Sequence, residues 1–106
     1  MKHGDRNVNS EYYRLWCVWH DMRQRCNNPK NRDYKYYGGR GITICSDWDL
    51  YTNFKDWALG HGYNDKLTID RVDENGNYTP NNCRWATREE QNRNKRTVPK
   101  IEYERC

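Results

Sequence analysis

A chain of 106 residues with a net charge of +4 has the length of one domain with a modest core. A mean hydropathy of -1.44 and 32% charged residues give a heavily solvated surface, while five Trp and nine Tyr exclude the aromatic-poor composition of a disordered chain and put aromatic bulk where aliphatics are scarce. No apolar run approaches the roughly 20 residues of a membrane span and no signal-peptide pattern opens the chain, so no membrane partner and a cytoplasmic location are expected.

Residues 1–9 carry no pattern and are expected to form a flexible N terminus. From Glu11 to Arg25 the period is helical: Leu15, Trp19, Met22 and Cys26 share a face, with Tyr12 and Trp16 alongside and Cys17 and His20 on other faces. Asn27 to Arg32 is a loop on turn chemistry and proline. Asp33 to Gly41 follows as DYKYYGGRG, three tyrosines interleaved with Lys35 and Arg40 beside three glycines. Two readings stand level: a backbone open to phosphate with rings that stack on a base, or a tight turn with the tyrosines packed inward. The absence of Gly-Lys-Ser/Thr excludes a P-loop and with it nucleotide hydrolysis.

Ile42 to Cys45 reads as a short strand. Ser46, with Asp49 three residues on, predicts a capped second helix running to Leu59 and stopped by Gly60. Tyr51, Phe54 and Ala58, with Trp48 and Trp57, give that helix its core face. His61 to Lys66 links it to Leu67–Arg96, which reads as strand, polar loop, strand and basic helix. Thr87 and Glu90 have capping-box spacing, and the helix carries Arg88, Arg93, Lys95 and Arg96. Residues 97–106 are expected to be a loosely held tail.

The stretch 67–96 resembles the ββα hairpin of the HNH (His-Me finger) endonucleases, in particular those of phages and mobile elements. The resemblance rests on Asp70 ending the first strand, on Asn82-Cys83-Arg84-Trp85 before the helix, and on Gln91 within it. The segment Arg25–Trp57, with its Arg-Cys, Tyr-Gly-Gly-Arg-Gly-Ile, Cys and Trp, is similar to what precedes this hairpin in such proteins. It implies an α+β fold, a small single domain over residues 10–96 with two N-terminal helices ahead of a ββα-metal finger at 67–96. It also implies catalytic roles at Asp70, Arg71, Asn82 and Gln91, with Asn82 bracing the loop and Asp70 and Gln91 holding a divalent cation, Mg or Mn. Two departures matter: Arg71 stands at the position of the catalytic His, and Gln91 replaces Asn or His as helix ligand.

Hard-cation chemistry suits a carboxylate and a neutral amide oxygen, but hydrolysis also needs a base to activate water. Arg71 stays protonated and can bind or polarise a phosphate instead; a base from His20 or His61 has no support in the spacing. Asp70 as a hydrogen-bonded structural carboxylate and Gln91 as a surface amide remain open beside the metal reading. Without an export signal the five cysteines are expected to be reduced. Cys26, Cys45 and Cys83 lie at element boundaries where a structural Zn could staple a small core, but there is no Cys-x-x-Cys pair, and buried metal-free thiols are the competing reading.

Arg23–Arg40 carries a net +5 and Arg84–Lys100 a net +4, leaving the rest of the chain about five units negative. Two basic segments on an acidic background point to DNA. The expected contacts are Lys35 and Arg40 in the first segment and Arg84, Arg88, Asn92, Arg93, Lys95 and Arg96 in the second. Three functions follow: a DNA-binding HNH-like protein that nicks or cleaves with a divalent metal, a catalytically inactive DNA-binding or regulatory phage protein of the same fold, or an interaction module for an acidic host or phage protein partner in the host cytoplasm.

Overall fold

The computed structural model describes residues 5–90. Helix α1 spans Tyr13–Asn27 and α2 spans Tyr51–Gly60, and strands β1 (Thr68–Arg71) and β2 (Cys83–Ala86) pair antiparallel, an α+β arrangement. Leu15, Met22, Phe54 and Ala58 are fully buried, and Trp48 is 1% exposed. Trp48 packs edge-on to Phe54 at 5.0 Å and lies 4.9 Å from Trp57. Each aromatic side chain removes 150–250 Å² from water, so a few rings supply what the aliphatics cannot. No described helix is long and apolar enough to cross a membrane.

The predicted face of α1 is buried at Leu15, Met22 and Cys26, and Cys17, Val18 and Arg25 are buried as well. Trp19 is only half-buried, because its indole N–H reaches out to donate to the Trp48 carbonyl at 2.8 Å. That bond and the burial of Trp48 reshape the start of the second helix. Ser46–Asp49 is a 3-10 turn, Leu50 is extended (φ -101°, ψ 126°), and α2 opens only at Tyr51. The expected Ser46 cap is therefore absent, and Ser46 makes no capping bond.

Two further expectations are corrected. Ile42–Cys45 forms a single parallel bridge, Ile44 to Tyr78, rather than a strand. Residues 1–9 read as unpatterned, yet Asp5 is 6% exposed. Its carboxylate accepts from Ser10 Oγ, Tyr51 Oη and Lys55 Nζ, each at 2.8 Å. Burial alone would raise the Asp5 pKa; the bonds from Lys55, Ser10 and Tyr51 outweigh it and leave the carboxyl below its usual value. The tail at 97–106 lies outside the described residues.

Asp33–Gly41 takes the inward reading. Tyr34–Tyr36 and Gly38–Arg40 are short 3-10 turns, Tyr37 is 1% exposed, and Tyr36 packs against the core. Gly38 fits where no other residue would, because a Cβ there would run into the Cys26 carbonyl at the end of α1 and into the Tyr34 ring.

Candidate functional site

The hairpin sets its charged residues by register. Asp70 lies directly opposite Arg84 across the two strands, and Arg84 Nε donates to Asp70 Oδ2 at 3.1 Å. Asp70 is 1% exposed while the Arg84 side chain is 46% exposed, so a buried carboxylate orients a guanidinium whose head still meets water.

Arg71, one residue on, is buried. Its Nη1 donates to the carbonyls of Glu74 at 2.6 Å and Gly76 at 2.8 Å. The guanidinium sits 5.2 and 5.1 Å from the ring centroids of Tyr37 and Tyr78, a favourable place for a cation. The residue at the position of the resemblance's base is thus a permanent cation that clamps the hairpin loop from beneath.

Asn82 closes the same loop from its far end. Its Oδ1 accepts from the Asp73 N–H at 2.9 Å, and its Nδ2 donates to the carbonyls of Asp73 (3.1 Å) and Asn77 (2.9 Å). A Cβ on Gly76 would lie 2.7 Å from that Nδ2. Beyond β2, the Thr87 N–H donates to Glu90 Oε1 at 2.8 Å and the Glu90 N–H to Thr87 Oγ1 at 3.1 Å. This is the reciprocal cap the spacing predicts, and helix begins at Arg88. Gln91, Asn92, Arg93, Lys95 and Arg96 lie outside the described residues.

The first basic segment meets the hairpin loop at one recognised point: Arg40 Nη2 donates to Asn75 Oδ1 at 2.5 Å. Lys35, Arg40, Arg84 and Arg88 are all exposed or, for Arg84, half-exposed. Arg25 is the residue the sequence reading passed over. Three positions after Met22, it falls on the core face of α1, and it donates to Tyr78 Oη at 3.3 Å beneath Tyr37. Its helical spacing was the available signal.

The metal readings find little to stand on. Among the described residues no three His, Cys, Asp or Glu side chains come together to hold an ion, and Asp70 offers a single carboxylate already engaged by Arg84. Gln91, the other expected ligand, lies outside the described residues, and we derive no step through a metal. Cys26, Cys45 and Cys83 are free thiols. Burial pushes Cys26 up to about 11 and Cys83 up to about 12, and it also raises Cys45. Among the described residues these three thiols do not gather into a metal-ligating cluster. Of the candidate bases, His20 stacks on Trp16 at 4.9 Å. His61 lies 5.0 Å over Trp57, with Nδ1 bonded to the Trp57 carbonyl.

Comparison with protein-family models, with curated proteins and with solved structures finds no match to this chain.

Proposed function

We propose that this protein is a DNA-binding module of the HNH-like hairpin kind that holds DNA without cutting it. One observation carries the non-catalytic half of the reading: Arg71 stands where a general base would be needed, and it is buried with Nη1 committed to two loop carbonyls. A guanidinium accepts no proton at any physiological pH. The DNA-binding half is supported by the two basic segments of the sequence, the first of which is tied to the hairpin loop through Arg40 and Asn75, and by a half-exposed Arg84 held in place by Asp70. Such cations displace counterions from the phosphate backbone, and affinity then falls steeply with salt.

Supercoiled plasmid with magnesium or manganese tests the proposal. The expected result is a gel shift without relaxation. Relaxation by the parent that disappears in Asp70→Asn would overturn it in favour of a nuclease with an altered site. Neither shift nor relaxation would sink the DNA reading and leave the acidic protein partner in its place.

A further inference from the structure

Residues 28–41 are a train of overlapping turns. The backbone N–H groups of Asn31, Tyr34, Tyr36, Tyr37, Arg40 and Gly41 each donate to the carbonyl three residues back. Asn28 and Asn31 add side-chain turns that receive the N–H groups of Lys30 (3.0 Å) and Asp33 (2.9 Å). The underside is fixed by buried Tyr37 and by the contact of Gly38 with the end of α1.

The outward charge of this train is one-sided. Lys30, Arg32, Lys35 and Arg40 are all exposed, and its one acid, Asp33, lies 3.5 Å from Arg32 Nε. Beneath it, the recorded partners of Arg71 are carbonyls and rings rather than a carboxylate, so its buried charge adds to the outward field. The opposing acids on the adjacent hairpin loop are Asp73 and Glu74, too few to cancel that excess.

The rings of the segment are spoken for. Tyr37 stacks on Tyr78 at 6.3 Å, Tyr34 lies against Gly38 and Gly39, and Tyr36 packs on the core with Lys35 Nζ 5.3 Å over its face. Surfaces that select single strands do so by stacking bases on free aromatic faces, whereas here Tyr37 is buried and Tyr34 and Tyr36 are half-buried against the body.

We infer that the turn train is a phosphate-tracking surface whose ligand is the double-stranded backbone, and that it is a main electrostatic anchor of the DNA binding proposed above, on which this inference rests. A duplex presents one charge per roughly 1.7 Å of axis against roughly 3.4 Å for one strand. A surface that reads only charge therefore prefers the duplex.

The test is fluorescence anisotropy with a short labelled duplex and with each of its single strands, over a range of salt. It compares the parent with the triple variant Lys30→Gln/Arg32→Gln/Lys35→Gln, which spares the Arg40–Asn75 bond. An unchanged far-UV spectrum and melting temperature establish that the variant is folded. The expected result is tighter binding of duplex by the parent, and a slope of log Kd against log salt that falls by about three in the variant. A parent that prefers single strands overturns the inference. So does an unchanged slope in the triple variant when Arg84→Gln/Arg88→Gln flattens it; both of these leave DNA binding standing. A parent that binds neither form fails the proposed function itself, and this inference with it.

Discussion

The helical half and the hairpin half of this protein are held together by different physics. In the helical half the work is done by ring against ring: Trp19 of α1 meets Tyr51 of α2 edge-on at 5.5 Å, and Trp48, Phe54 and Trp57 lie within 4.9–5.9 Å of one another. Around the hairpin it is done by directed polar bonds: Arg71 and Asn82 between them meet carbonyls of Asp73, Glu74, Gly76 and Asn77. Two four-residue strands cannot bury enough apolar surface to order an eleven-residue connection, so side chains that could carry chemistry are used as ties.

Three measurements sharpen or break that contrast. Phe54→Ala should cost the most, about 3–5 kcal/mol in urea unfolding, because it opens a cavity in a fully buried aromatic cluster. A loss near zero would mean that rings do not carry the helical half. Arg71→Ala should cost about 3 kcal/mol by removing a buried side chain and leaving two part-buried loop carbonyls without their donor. Amide exchange should then rise in residues 73–77 well before it rises in α1. Arg71→Lys should recover only part of this, since an ammonium lacks the planar fork that serves two carbonyls at once. Uniform exchange across both halves would remove Arg71 as the clamp.

The smallest effect concerns a polar device in the helical half. The Asp5 carboxyl is held below its ordinary value in the folded state. Its contribution is therefore fully present above about pH 4 and is lost as pH falls through the lowered folded pKa. Asp5→Asn should lower stability by about 1–2 kcal/mol at neutral pH and flatten the acid limb of the stability profile. Parallel acid limbs for the two proteins would show that Asp5 ionisation does not couple to folding.

What could be read from the residues alone was whatever depends on near neighbours. The Thr87–Glu90 cap, the α2 core face at Tyr51, Phe54 and Ala58, and the role of Asn82 as a loop brace need only a few residues of context. What escaped depends on distant ones. Asp5 is set by Tyr51 and Lys55, 46 and 50 residues away. Ser46–Asp49 is a helical start by spacing, but the Trp48 carbonyl is claimed by Trp19 from α1. The place Arg71 takes was equally hidden, because the Tyr37–Tyr78 pair that receives it is assembled only in the fold.

Gly38 gives the molecule a mechanical linkage between places that share no ion pair. Because a Cβ added there would run into the closing carbonyl of α1, any side chain at this position should lever Lys35 and Arg40 away from the body together. The cationic rim of the protein can thus be displaced as a block from inside, without altering a single charged residue.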